Sequence, residues 1–122
     1  MNKIEQMVTE LPACRQAGAL TKMVWCNNPD DMPDYQDGIW YVYVLECDDN
    51  SLYKGFTTNL KQRYLQHLNG IGAKHTKLHK PVCLLYYEVY YSEKEAVDKE
   101  KYLKSGIGRE FLKKIQKKYE NK

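Results

Sequence analysis

A chain of 122 residues, 43% hydrophobic and 29% charged, has room for one domain with a modest core that buries about two-thirds of the unfolded surface, which excludes a multi-domain assembly. The four cysteines, Cys14, Cys26, Cys47 and Cys83, show no close paired spacing, and no apolar run follows the polar start or approaches the roughly 20 residues of a membrane span. A disulfide framework, a secretory signal and a membrane anchor are therefore not expected, and a cytoplasmic setting is. The net charge of +3 is unevenly spread: residues 1–37 carry three basic against six acidic side chains, or −3, so the rest carries +6, a balance that favours polyanionic partners.

Residues 1–38 begin with a weak helical pattern and continue through Pro12, Pro29, Pro33 and the acidic DDMPDYQD. They are predicted to be a poorly structured or loosely packed extension without a functional role. Trp40–Leu45 and Leu52–Phe56 are short runs of β-branched and aromatic residues, separated by ECDDNS with its turn-favouring Asp and Asn, and so predict a β-hairpin. From Leu60 the period changes. Leu60, Tyr64, Leu65 and Leu68 fit one face of a helix, with Thr58 or Asn59 as its cap and Gly70 at its stop. Arg63 and His67 then lie one turn apart at the edge of that apolar stripe, within reach of a cleft beside the sheet.

GIGAKHTKLHK follows, nearly devoid of apolar residues, and predicts a flexible loop in which Lys74, Lys77 and Lys80 either contact phosphates or are simply solvated. His75, His79 and Cys83 have metal-ligand chemistry, but Pro81 interrupts any helix that would align them. A third strand is predicted from Pro81 through VCLLYYEVYY. A second helix is capped by Ser92-Glu93-Lys94-Glu95, with Ala96, Val97 and Leu103 inward. Glu100 falls within that inward stripe, where a carboxylate costs several kcal/mol unless a metal, Arg63, a lysine or a tyrosine hydroxyl satisfies it. Ser105-Gly106-Ile107-Gly108 interrupts the helix, and a last basic one follows, Phe111, Leu112 and Ile115 inward, Lys113, Lys114, Lys117 and Lys118 outward.

Val42-Tyr43-Val44, then Tyr53-Lys54-Gly55, then Arg63 and His67 resemble the core of the GIY-YIG nuclease superfamily. The likeness is greatest to its small stand-alone bacterial members, which are similar to the N-terminal domain of the UvrC excinuclease. The resemblance continues through GIGAKHTKLHKPVCLLYYE and EKEAVDKEKYLKSGIGREFLKK and covers roughly residues 40–116. The first tripeptide keeps its tyrosine but not its glycine, Lys54 stands where an apolar residue is commoner, and the family's downstream asparagine is not evident, SGIGREF standing there instead.

The resemblance implies an α+β fold, a three-stranded mainly antiparallel sheet flanked by three helices in the order β-β-α-β-α-α, occupying residues 39–118. It implies a DNA endonuclease with a DNA-repair relative, using Mg²⁺ or Mn²⁺ and no small-molecule cofactor. Glu100 matches the acidic metal ligand, and Tyr43, Tyr53, Arg63 and His67 the remaining catalytic positions. Tyr43 or Tyr53 would deprotonate the attacking water, which for a phenol titrating near 10 calls for a pKa lowered by Arg63 or a metal. Arg63 would stabilise the developing charge, and His67 would act as a phosphate donor, a proton shuttle or a partner for a tyrosine hydroxyl. Lys74, Lys77, Lys80, Arg109, Lys113 and Lys117 are the expected DNA-backbone contacts. Two other readings stand beside this one: a non-catalytic nucleic-acid-binding module, and a structural domain in which Glu100 and Arg63 form an internal ion pair.

Overall fold

The structure, a computed structural model, describes the backbone of residues 20–120 and the side chains of 26–118. Four antiparallel strands form one sheet in the order β1-β4-β2-β3, with β1 at Leu20–Cys26, β2 at Trp40–Cys47, β3 at Leu52–Thr57 and β4 at Pro81–Tyr90. Helices α1 (Leu60–Leu68), α2 (Lys74–Leu78), α3 (Glu93–Lys104) and α4 (Gly106–Glu120) complete it. The α+β class and the order of the three expected strands agree with the sequence reading.

Three features differ. The sheet has a fourth strand: β1 lies in the segment expected to be loosely packed, and it pairs along β4 from Leu20 opposite Val89 to Cys26 opposite Leu84. Its sequence LTKMVWC is rich in β-formers, and a ten-residue β4 left bare on that side would expose a row of unpaired backbone groups. The weak helical pattern at the start of the chain lies outside the described residues. Within the expected flexible basic loop, residues 74–78 form the short helix α2. The break before the last helix is also shorter than predicted, since α4 already begins at Gly106.

β2 is the centre of the molecule. Residues 41 to 45 are all buried because the strand is covered on both faces, which is why YVYVL shows no apolar–polar alternation. Tyr41, Tyr43 and Leu45 pack with Leu60 and Tyr64 of α1. Val42 and Val44 pack with Ala96 and Leu103 of α3 and Leu112 and Ile115 of α4. A register shift between Val44 and Leu45 lets consecutive β4 residues, Leu85 and Tyr86, both join this second cluster.

The caps follow the sequence. Asn59 accepts from the Gln62 amide at 3.2 Å and opens α1, Ser92 accepts from the Glu95 amide at 3.2 Å and opens α3, and Gly70 takes a left-handed φ of 77° just after α1 ends. One buried carboxylate went unforeseen. Glu88, opposite Val42 on the α3 face, is fully enclosed; the Tyr90 hydroxyl donates to it and Lys99 Nζ stands 3.4 Å away.

Candidate active site

The hairpin register brings the first site residues together. Tyr43 pairs with Gly55 across β2 and β3, and Tyr53 pairs with Leu45, so Tyr43, Tyr53 and the open space over Gly55 share one face. A Cβ at Gly55 would lie 2.5 Å from the Tyr43 hydroxyl oxygen. Glycine is thus needed here so that the phenol can lie across β3. Lys54 instead pairs with Val44 and faces the other side of the sheet.

The Asn59 cap fixes where α1 leaves the sheet, and His67 is carried over the Tyr43 phenol. Expected at the edge of the apolar stripe, His67 is fully buried. Its Nε2 lies 2.8 Å from the Tyr43 hydroxyl and its Nδ1 lies 2.8 Å from Thr76 Oγ1 on α2. The Thr76 hydroxyl in turn donates to the Ala73 carbonyl at 3.2 Å. Gly72 lies tight against this ring, and a Cβ there would come within 2.3 Å of His67 Nδ1. The Tyr53 ring is 5.0 Å from the imidazole and 6.3 Å from the Tyr43 ring, and it stacks on His75 at 6.0 Å.

Arg63 is half-buried, donating to Gln66 Oε1 at 2.8 Å and to the Gly72 carbonyl at 3.1 Å. The second of these bonds ties the guanidinium to the loop that packs against His67. Burial pushes the Tyr43 pKa above the ordinary phenol value; Arg63 acts to lower it, and the charges of Tyr53 and Glu100 raise it further. Burial also pushes His67 down to about 4, helped by the Arg63 charge. At neutral pH the pair is therefore a protonated phenol against a neutral imidazole. The expected lowering of the tyrosine is reversed, because the desolvation that comes with being the centre of the core outweighs one neighbouring guanidinium.

Glu100 lies close enough to act on Tyr43 electrostatically, yet its hydrogen-bonding geometry is its own. Its side chain is 16% exposed and pairs with Lys104 Nζ at 3.3 Å, not with Arg63, so the internal Glu100–Arg63 pair is not formed. A single, partly exposed carboxylate suits Mg²⁺, which keeps several waters and is commonly held through one or two carboxylates plus substrate phosphates. A second donor set stands elsewhere. Asp48, Asp49 and His79 place ligand atoms within 4.8 Å of one another beside the hairpin turn, with His79 Nδ1 3.2 Å from Asp49 Oδ2. His75 bonds to Ser51 at 2.8 Å, so the third donor beside His79 is Asp48 and not the buried Cys83.

Lys74, Lys77 and Lys80 are exposed on and after α2. Arg109, Lys113 and Lys117 are exposed along α4. Arg109 and Lys113 line a cleft of about 190 Å³ together with Lys54, Asn50 and Gln116. Burial and the charges of Arg109 and Lys104 lower the Lys54 pKa. Thr76 and Gly72 escape the sequence reading. The only signal for Thr76 is a lone threonine in a lysine-rich stretch, and Gly72 is one of two glycines in a stretch that reads as a loop.

A hairpin that turns Tyr43 of β2 and Tyr53 of β3 to one face, feeding a helix that returns an arginine and a histidine to it, is the frame of a class of nuclease domain. A profile described as GIY-YIG catalytic domain matches residues 39–119, and the chain belongs to that family. It is 45% identical over 76 residues to a UPF0213 protein of Staphylococcus haemolyticus, covering 62% of this chain and 93% of that one. With a UPF0213 protein of Clostridium perfringens it shares 48% over 64 residues, 52% of this chain and 69% of the relative. A solution structure of a UPF0213 protein from Bacillus halodurans is similar at 37% identity, with a TM-score of 0.41 over 63% of this chain and 84% of that one.

Proposed function

We propose that the protein is a divalent-metal-dependent endonuclease that hydrolyses phosphodiester bonds in DNA, with residues 39–118 as its catalytic domain. The observation that carries this is the 2.8 Å bond between the Tyr43 hydroxyl and a neutral, buried His67 Nε2, with Arg63 and Tyr53 beside it. A buried phenol with a raised pKa is a poor free base, but paired with an unprotonated imidazole it can take a proton and pass one on.

As a water oxygen bonds to phosphorus, its proton moves to the Tyr43 oxygen while the phenol proton passes to His67 Nε2. The P–O bond to the leaving oxygen breaks, and that oxygen takes a proton from solvent. Arg63 meets the charge that develops on the phosphoryl oxygens, its fork being suited to two of them. Glu100 would hold the Mg²⁺ or Mn²⁺, whose chemistry is to polarise the phosphate and neutralise the leaving oxygen. Tyr53, stacked on His75 and tilted against His67, limits how the His67 imidazole can turn. The exposed Lys74, Lys77, Lys80, Arg109, Lys113 and Lys117 are suited to the DNA backbone. No helix among the described residues is long and apolar enough to cross a membrane.

A second reading, a nucleic-acid-binding module without catalysis, draws on the engagement of Glu100 by Lys104. Nicking of supercoiled DNA with Mg²⁺ or Mn²⁺, absent in EDTA, tests the two. Retention of DNA at low salt without nicking would replace the first reading with the second.

A further inference from the structure

The hydrogen-bond chain running inward from Tyr43 has a direction, and its last member sets it. A carbonyl oxygen only accepts, so the 3.2 Å contact between Thr76 and Ala73 can be a hydrogen bond only if the Thr76 hydroxyl gives it its single proton. The Thr76 oxygen can then only accept from the imidazole, which places the His67 hydrogen on Nδ1. In a neutral ring that leaves Nε2 bare, and a bare Nε2 at 2.8 Å obliges the Tyr43 hydroxyl to donate.

Reversing the chain would put the hydrogen on Nε2, make Tyr43 the acceptor and leave the proton of this buried phenol without its acceptor, whereas the Ala73 carbonyl would still keep its bond from the Lys77 amide at 2.9 Å. We propose that Thr76 is the positioning residue of this site, holding His67 in the tautomer in which Nε2 accepts the Tyr43 proton. The inference rests on the nuclease reading for its consequence, though not for its geometry.

The groups facing the imidazole come from four elements. Tyr43 on β2 and Tyr53 on β3 approach the ring, Arg63 lies one turn back on α1, and Thr76 on α2 holds Nδ1. Of these, Thr76 alone binds the nitrogen that must carry the hydrogen, and it is 2% exposed. Its bond to Ala73 is local, from the third residue of α2 back to the residue that opens it, and so is in place whenever the helix is formed. During turnover the imidazole takes the phenol proton at Nε2, and the resulting cation is held at Nδ1 by the same oxygen. The cycle closes when Nε2 returns its proton through Tyr43 to solvent.

Thr76→Val keeps the shape and removes the acceptor, whereas Thr76→Ser keeps the hydroxyl. With ¹⁵N-labelled histidine, the wild-type His67 should show a protonated Nδ1 and an unprotonated Nε2 at neutral pH, and Thr76→Val should invert that pattern. In the same variants kcat on supercoiled DNA should fall by roughly 10²-fold for valine with KM little changed, and recover to near wild type for serine. A wild-type His67 carrying its hydrogen on Nε2, or a Thr76→Val protein that keeps it on Nδ1, overturns the proposal. So does a serine variant as slow as the valine one. If Thr76→Val does not fold, the wild-type spectrum and the serine variant decide. A protein with the expected tautomer and no cleavage would count against the nuclease reading and leave the Thr76 assignment standing.

Discussion

Lowering the pH should destabilise this protein through one buried side chain. His67 is fully enclosed, and its pKa is depressed from 6.5 to about 4 in the folded state. Because the folded pKa lies below the unfolded one, the unfolded chain binds the proton first. The stabilising contribution is therefore complete above about pH 6.5 and is lost as pH falls toward 4. Between pH 7 and pH 5 the two pKa values translate into a loss of about 2 kcal/mol, or roughly 8 °C in Tm for a domain of this size.

Urea unfolding followed by circular dichroism at pH 7, 6 and 5 measures it. His67→Gln is the reference: it should be less stable at pH 7, because Tyr43 and Thr76 lose their partner, yet nearly flat across the window. Direct titration of the His67 ring proton by NMR should give a midpoint well below that of an exposed histidine. Parallel pH dependence in the two proteins, or a His67 midpoint near 6.5, would refute the burial of a neutral imidazole.

Four other outcomes are expected. Glu100→Gln should abolish nicking while the fold survives, since its ion pair with a 55% exposed Lys104 is worth under about 1 kcal/mol; normal nicking by the folded variant would remove Glu100 as the metal ligand. Arg63→Ala should slow single-turnover cleavage at saturating enzyme by about 10²-fold with little change in affinity. Combined Lys113→Ala and Lys117→Ala should instead weaken binding and flatten its salt dependence by roughly one unit for each phosphate no longer neutralised, so an Arg63→Ala protein impaired only in affinity would contradict this division. Gly55→Ala puts a methyl 2.5 Å from the Tyr43 oxygen and should cost about 1–3 kcal/mol of stability together with most of the nicking activity. A stable, active Gly55→Ala protein would mean that Tyr43 does not lie across β3.

The elements that local chemistry controls were legible in the sequence. The hairpin, helices α1 and α3, the Asn59 and Ser92 caps and the stop at Gly70 each depend on a few neighbouring residues, and each stands within a residue or two of its predicted place, whereas α4 begins inside the predicted break, at Gly106. So was the grouping of Tyr43, Tyr53, Arg63 and His67, because pleat and helical period fix which residues share a face. What tertiary structure alone decided is the environment of those groups. Nothing local in KHTKL specifies a helix, and the one buried residue among the five, Thr76, is held by an imidazole nine positions earlier. Nothing local marks Glu88 as the enclosed carboxylate and Glu100 as the partly exposed one, since that depends on which face α3 turns to the sheet. The pairing of β1 with β4 joins residues far apart along the chain, Leu20 meeting Val89 and Cys26 meeting Leu84. The sense of the Tyr43 shift belongs here too: a pKa is a sum over solvent loss and all nearby charges, and only the folded chain determines how many of each a residue meets.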